Sequence, residues 1–408
     1  MRLKKCRSCG SKSLSPILYL GKQYLSDFVK TNKKPKAFPL NIIICKNCKL
    51  VQLDYTTPSK FLYTERYGYK SGINQTMRDE LKHIVNQALN KVKNKKKLVA
   101  VDIGANDGTL LSYYPKSVFR VSVEPIRKYA REANKYSNIV INDYFNFKSY
   151  FKKIGDRKAD IITIISCFYD MDDPNQFIKD VKKIMKEESI IVIQQNYLAE
   201  MLKKNAFDNI VHEHLEYYSL LSLTNLLKRH SLEVFDADIR ALNGGSFRTY
   251  ISKMGKRKIS EKVLRMKRNE KKIGLDNKKV YINFAREIIN NKVETLKLIN
   301  KITSRGEKVY LYGASTRGNT LLQFFGIDKN LVPFAVERNP EKWGKKIASV
   351  GIPIISEERA RVDKPEYMLV LPWFFKKEFL HREKQYLSSG GKFIFPLPKM
   401  QIVKKASS

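Results

Sequence analysis

Val99-Ala-Val-Asp-Ile-Gly-Ala-Asn-Asp-Gly108 is the stretch that decides the fold. An apolar strand runs into a turn with two glycines, and Thr109-Leu-Leu then opens a helix. Glycine lets backbone approach a ligand closely. In open αβ sheets ligands bind at the carboxyl ends of such strands. One strand later, Glu124 in Val121-Ser-Val-Glu-Pro125 is placed to accept both hydroxyls of a ribose. The G-x-G-x-x-G fingerprint of dinucleotide folds is missing, and Asp102 and Asp107 would repel a pyrophosphate. A sulfonium cation with an ammonium group suits acidic neighbours. The segment therefore predicts S-adenosylmethionine (SAM) as cofactor, held by Asp102, Gly104, Asn106, Asp107, Gly108, Glu124 and Pro125. Asn142, Asp143 and Tyr144 follow the next strand and should pack near the adenine, with Ser166 at a further strand end.

Outward from this point, apolar runs alternate with amphipathic stretches. Strands are expected at Leu98–Ile103, Phe119–Glu124, Ile139–Ile141, Ile161–Ser166 and Ile190–Gln195, with a late one at Phe247–Ser252. Such alternation implies βαβ units around a mostly parallel sheet. A helix begins near Asn74. Residues 255–305 read as a helical connector whose apolar face is Tyr281, Phe284, Ile288, Val293, Leu296 and Ile299, with Gly306 as its stop. A second αβ unit starts at Lys308-Val-Tyr-Leu-Tyr-Gly313 and continues through Phe334–Glu337, Tyr367–Leu371 and Lys392–Phe395. The expected domains are 1–73 (a metal module with a Tyr loop), 74–254 (SAM-binding), 255–305 (connector) and 306–408 (C-terminal αβ).

Cys6-Arg-Ser-Cys9 and Cys45-Lys-Asn-Cys48 are two C-x-x-C turns. Each turn brings two thiolates to one ion, so Cys6, Cys9, Cys45 and Cys48 predict a closed, structural zinc site. Leu40-Asn-Ile-Ile-Ile-Cys45 and Leu50-Val-Gln-Leu53 are short β-like runs beside it. The N-terminus has no apolar stretch of a signal peptide, and no apolar run reaches transmembrane length, so a cytoplasmic chain without a membrane partner is expected.

Asn209-Ile-Val-His-Glu-His-Leu-Glu-Tyr-Tyr-Ser219 is the densest titratable cluster. Histidine is the natural proton shuttle near neutral pH, and a neighbouring carboxylate can orient it. His212, Glu213 and His214 are therefore catalytic candidates. Leu242-Asn-Gly-Gly-Ser-Phe-Arg248 follows, and Gly244, Gly245 and Arg248 suit a polar or anionic ligand. Upstream, Tyr67-Gly-Tyr-Lys-Ser-Gly-Ile-Asn74 offers Tyr67, Tyr69, Ser71 and Asn74 as substrate contacts.

The net charge of +38 comes from 78 Lys and Arg against 40 Asp and Glu, and it is spread along the whole chain. That spread favours a Lys-rich surface over a nucleic-acid interface, although a phosphate-bearing substrate would gain from the field. A zinc-containing nucleic-acid-binding protein is the alternative from another class.

Taken together, these motifs resemble the nucleotide-sugar C-methyltransferases of deoxysugar biosynthesis. The resemblance spans nearly the whole chain. It includes the paired cysteines, the Tyr67–Ser71 loop, Asp102–Gly108, His212-Glu-His214, Gly244-Gly245 and Gly313-Ala-Ser-Thr-Arg-Gly-Asn319. It continues through Val336-Glu-Arg-Asn-Pro-Glu-Lys-Trp-Gly344, Leu371-Pro-Trp373 and Gly390-Gly-Lys-Phe-Ile-Phe-Pro-Leu-Pro398. The resemblance implies an α/β chain with a class I, Rossmann-like SAM-methyltransferase domain. A zinc-binding N-terminal module precedes it and a smaller Rossmann-like C-terminal domain follows. It implies methyl transfer to a carbon alpha to the keto group of a nucleoside-diphosphate-linked sugar, through an enolate. His214 would be the base and Glu213 its partner, with Tyr67 or Tyr69 on the sugar. Ser315, Thr316, Arg317 and Asn319 suit a diphosphate at a strand-to-helix turn, and Trp373 joins the substrate side. The chain departs from the family at Val211, where a Tyr is frequent, and at Tyr169 and Asp170, near which many C-methylating members have a His. O-methylation of a sugar hydroxyl, again with His214 as base, is the second reading. A monomer or small homo-oligomer is expected.

Overall fold

The computed structural model describes residues 1–63, 68, 70–92 and 97–405. The N-terminal strands are β1 (Leu14–Tyr24), β2 (Phe28–Val29), β3 (Ala37–Cys45) and β4 (Val51–Leu53). The central strands are β5 (Val99–Ile103), β6 (Phe119–Val123), β7 (Ile139–Ile141), β8 (Ala159–Ile165), β9 (Met185–Asn196), β10 (Glu216–Tyr217), β11 (Leu232–Arg240) and β12 (Ser246–Lys253). The C-terminal strands are β13 (Val309–Tyr312), β14 (Ala335–Val336), β15 (Lys346–Ile347), β16 (Ile352–Ile355), β17 (Tyr367–Val370), β18 (Lys392–Phe395) and β19 (Gln401–Val403).

The central sheet has the order β11-β12-β9-β8-β5-β6-β7. Strands β7 to β9 are parallel, and β12 and β11 close the edge antiparallel. Every residue of β5 is buried, as a strand covered on both faces by helices requires. The chain goes one way from β5 to β6 and β7, then returns to β8 on the other side of β5. That reversal opens a crevice between the ends of β5 and β8.

The C-terminal sheet repeats the pattern in the order β19-β18-β17-β13-β14-β16-β15-β2. Its reversal lies at β13, whose neighbours are β14 and β17. No helix among the described residues is long and apolar enough to cross a membrane.

Two short strands cross between the units. β2 pairs with β15 on the edge of the C-terminal sheet, and β10 pairs with β4 in the four-stranded N-terminal sheet β1-β3-β4-β10. The sheets therefore do not respect boundaries at 73 and 254. The connector is two helices, Glu261–Ile273 and Lys278–Thr303, separated at Gly274, whose φ of 77° ends the first. The expected apolar face is corrected at one position. Val293 is 58% exposed, while Asn291 and Thr295 are buried with Tyr281, Phe284, Ile288 and Ile299. The 3-4 spacing continues through these two polar residues, which the apolar pattern alone passed over.

Candidate active site

The Gly104–Gly108 turn, the expected cofactor turn, is built by backbone. Gly104 and Ala105 both donate to the Val123 carbonyl, at 2.9 and 3.1 Å, which ties the end of β5 to the end of β6. Gly104 has φ 75°, and a Cβ there would meet the Cys167 sulfur at 2.8 Å, so no side chain fits between the ends of β5 and β8. A Cβ on Gly108 would meet Ala133 Cα at 2.7 Å. Glu124, 4% exposed, receives the amides of Asn106 and Ile126, each at 2.8 Å, one on each carboxylate oxygen. Each oxygen keeps a lone pair for a ligand. Asn142 donates to the Glu124 and Pro125 carbonyls at 2.8 and 3.0 Å and fixes that corner. Asp143 accepts from the Tyr144 amide, and the exposed Tyr144 ring meets Tyr63 edge-on at 6.3 Å. Ser166, at φ 57°, turns the chain just beyond β8.

Acidic groups crowd this mouth. Asp102 accepts from Thr163 Oγ1 at 2.5 Å, and burial, with Glu124 and Asp107 adding their charge, pushes its carboxyl up to about 7. Burial also raises Glu124, Glu213 and, strongly, Asp170, beside which Glu213 lies. Asp107 accepts the Gly72 amide at 2.9 Å, and Asn106 accepts the Ser71 amide at 3.0 Å. The Ser71–Ile73 turn is thereby latched over the cofactor turn. A Cβ on Gly72 would lie 2.6 Å from the Asp107 carboxylate, so glycine is required there.

The His-Glu-His segment reaches the same mouth. The His214 ring lies against Tyr169, with centroids 4.3 Å apart, just past the end of β8. Its Nδ1 is 2.9 Å from the Asn209 carbonyl. A carbonyl only accepts, so Nδ1 carries the hydrogen and Nε2 keeps its lone pair. Burial, opposed by that hydrogen bond and helped by Arg317, lowers His214 to about 4. The ring is neutral at pH 7. Asn209 is itself held by Asn196 Nδ2 at 3.0 Å. His212, 4% exposed, donates Nε2–H to the Phe38 carbonyl of β3 at 3.2 Å, which joins the segment to the N-terminal sheet.

The C-terminal domain closes the far side. Asp208, 1% exposed, accepts from Arg317 Nε at 3.0 Å and from Trp373 Nε1 at 3.2 Å. Arg317 also donates to the Asn243 carbonyl at 2.8 Å, and Thr320 donates to the Ile210 carbonyl at 2.9 Å. Gly244 lies where a Cβ would touch the Trp373 ring at 3.2 Å, and one on Gly245 would meet Glu200 at 2.5 Å. Ser315 caps the helix Thr316–Phe325 by accepting from Gly318, and Thr316 is exposed beside it.

Two expected ligand contacts, Arg248 and Asn319, are corrected by their burial. Arg248 is fully buried and binds Glu80 at 2.7 Å, Gln194 at 2.7 Å and His83 at 3.1 Å, because its strand faces helix Gln75–Lys91. Asn74 caps that helix by accepting from Met77. Asn319 is 3% exposed and accepts from Ser349. Arg317 and Trp373 are engaged by Asp208. Tyr67 and Tyr69 lie outside the described residues. Asp208, Asn209 and Asn196 were not anticipated. The one signal was an acid set between Phe207 and Ile210 in a buried run.

Cys6, Cys9, Cys45 and Cys48 place their sulfurs within 4.8 Å of one another. Cys6–Cys48 is 3.5 Å and Cys9–Cys45 is 3.6 Å. Zn–S bonds of about 2.3 Å in a tetrahedron separate sulfurs by about 3.8 Å, so the four fit one zinc ion. Gly10 N donates to the Cys6 carbonyl and Lys49 N to that of Cys45, so the two knuckles are alike. Gln52 Nε2 donates to Cys6 sulfur at 3.2 Å and Asn47 Nδ2 to Cys9 sulfur at 3.6 Å, completing the shell.

Comparison with known proteins gives three family matches. Residues 6–63 match a zinc binding domain, 73–237 a methyltransferase domain and 241–398 a C-methyltransferase C-terminal domain. The C-methyltransferase NovU of Streptomyces niveus is 26% identical over 414 residues, spanning 100% of this chain and 98% of the relative. Among solved structures, the plantazolicin methyltransferase BpumL in complex with SAH is 13% identical, with 43% of this chain and 82% of that chain covered and a TM-score of 0.35. The mitomycin 7-O-methyltransferase MmcR is 18% identical, with 46% and 56% covered and a TM-score of 0.35.

Proposed function

Because the chain is a SAM-dependent methyltransferase with a zinc-binding domain and a C-methyltransferase C-terminal domain, we propose that it methylates a carbon alpha to the keto group of a nucleoside-diphosphate-linked sugar, with His214 as the base. One observation carries this reading. The His214 ring meets Tyr169 just past the end of β8, with its Nδ1–H spent on Asn209 and its Nε2 lone pair left for a proton.

The residues divide the work. Asp102, Asp107 and Glu124 supply the negative field that a sulfonium and ammonium need, and Glu124 has lone pairs for ribose hydroxyls. SAM, when bound at the ends of β5 and β6, supplies the methyl group. His214 Nε2 takes the proton from the carbon beside the carbonyl, and the C–H electrons become an enolate. Deprotonated, that carbon is the nucleophile that would accept the methyl group. His214 returns its proton to solvent. The nucleotide-sugar substrate rests on the resemblance drawn from the sequence. The carbon acceptor is supported by the C-terminal domain match, which favours it over a hydroxyl.

The test is a screen of nucleoside-diphosphate keto sugars, followed by mass for the gain of one methyl. The product should show a C-methyl signal in NMR and no methoxy signal. His214→Ala should keep SAM affinity and lose about 10²–10⁴-fold in turnover. Near-native turnover in that variant would remove His214 from the base role.

A further inference from the structure

At the far end of helix Thr316–Phe325, where it stops at Gly326, a cleft of about 570 Å3 opens between the end of β1 and the C-terminal domain. Its wall carries Lys22, Lys34, Lys329 and Lys346 against one carboxylate, Asp328. That carboxylate is already engaged by Asn330, through its amide at 2.9 Å and its side chain at 3.3 Å. The contacts that two of the lysines make are with neutral groups. Lys34 Nζ sits 5.0 Å over the Tyr24 ring, and Lys346 donates to the Asn32 side chain.

Gln23 also lines the cleft. It is 2% exposed, and neither its amide nitrogen nor its amide oxygen has a hydrogen-bond partner. Buried amides are almost always paired, so a small shift of the Gln23 side chain toward a ligand in the cleft would satisfy it. The surface as a whole is rich in lysine and would gather anions anywhere. A concave, low-dielectric wall focuses that field, and an open buried donor and acceptor adds a fixed recognition point.

We propose that this cleft binds a phosphate-bearing anion of nucleoside-diphosphate size, at a site separate from the methyl-transfer mouth. Its volume falls in the range of about 300–1,000 Å3 typical of ligand pockets. Lysines act as point-charge binders of phosphate, and the Gln23 amide can donate to a phosphate oxygen or pair with a base edge. The four lysines lie outside the methyl-transfer mouth, so the site holds whether or not His214 is the base; Gln23 borders both the cleft and a small cavity lined by His212, Glu213 and Thr316.

The test is calorimetry on the full-length, zinc-loaded protein at about 0.15 M salt, with UDP, inorganic pyrophosphate and uridine as probes. UDP and pyrophosphate should bind, and uridine should not. Lys34→Glu with Lys329→Glu should weaken UDP by about tenfold or more. Gln23→Leu should weaken it with an unchanged circular dichroism spectrum. Lys301→Glu reverses an exposed charge on the connector helix and should leave UDP affinity within about twofold. SAM affinity should be unchanged in all four proteins. The absence of UDP binding overturns the proposal. So does an affinity that survives the double reversal, or an equal loss in Lys301→Glu. UDP binding that survives the reversal but is lost in Thr316→Trp would place the anion in the mouth, and would overturn it too.

Discussion

Asp102 sets the protonation state of the turn proposed to hold the cofactor. Its carboxyl stands at about 7 because it is buried beside Glu124 and Asp107. A cationic cofactor prefers the ionised form, so binding should draw the proton off. The sign follows from linkage. Below pH 7 the free protein holds the proton and SAM must displace it, so affinity rises with pH. Above pH 7 the group is already ionised and affinity levels off. The SAM dissociation constant should therefore fall by up to about tenfold per pH unit on approach to 7. Calorimetry at pH 6.5 in buffers of different ionisation enthalpy should show proton release. Asp102→Asn should abolish that release, since Asn can still accept from Thr163 but has no proton to lose. Buffer-independent heats in the native protein would refute the assignment. The same variant separates two effects in stability. A carboxyl raised by burial favours the folded state below its unfolded pKa and loses that contribution as pH rises through about 7. Asp102→Asn should thus gain stability at pH 8 relative to pH 5, read as the shift in urea midpoint.

The loop Phe207–Ile210 is the element that sets the proposed base. Asn209 gives its carbonyl to His214, and the residues on either side are held by the C-terminal domain: Asp208 by Arg317 and Trp373, Ile210 by Thr320. Asp208→Asn keeps the shape but leaves the mostly buried Arg317 without its counter-charge. Breaking one side of a buried pair costs about 3 kcal/mol or more. The urea midpoint should drop accordingly, and single-turnover methyl transfer should slow more than SAM affinity changes. Arg317→Met in the Asp208→Asn background should recover part of the stability, since it removes the stranded charge; a double-mutant cycle measures this. Strict additivity of the two changes would rule out the latch. This element also marks where the sequence was and was not legible. Strands β5, β8, β13 and β17 read directly because a buried parallel strand is a continuous apolar run. Asp208 did not, since its partners lie 109 and 165 residues away. Arg248 misled in the opposite way. A Gly-rich loop ending in Arg suggests an anion site, yet Phe247 to Tyr250 are all buried and Arg248 is paired inside. The two-residue strands β2 and β10 were also unreadable, because only pairing with distant strands makes them strands.

At the scale of the molecule, the zinc cluster is tied to the proposed base through two strands. Cys45 is the last residue of β3, and Cys48 stands just before β4. β3 offers the Phe38 carbonyl to His212, and β4 pairs Gln52 with Glu216 and Val51 with Tyr217, just beyond His214. The His-Glu-His segment is thus gripped on both sides by the two strands that the metal joins. The module also docks on the SAM domain, where Arg229 and Asn175 donate to Ser8 and Arg7. The cofactor turn, by contrast, is closed by hydrogen bonds among β5, β6 and their own loops. Loss of the metal should therefore separate two functions that an ordinary unfolding event would lose together. Stripping zinc, verified by metal analysis, should slow methyl transfer by about 100-fold or more, because structural zinc binding is folding free energy for the segment it holds. SAM affinity should stay within about threefold, since the turn proposed to hold it is not gripped by β3 or β4. Cys45→Ser should do the same, and added zinc should rescue the stripped protein but not the variant. A rate that survives complete removal of the metal would show that the His-Glu-His segment holds its place without the N-terminal strands. Loss of SAM binding in step with activity would show that the three units fold as one.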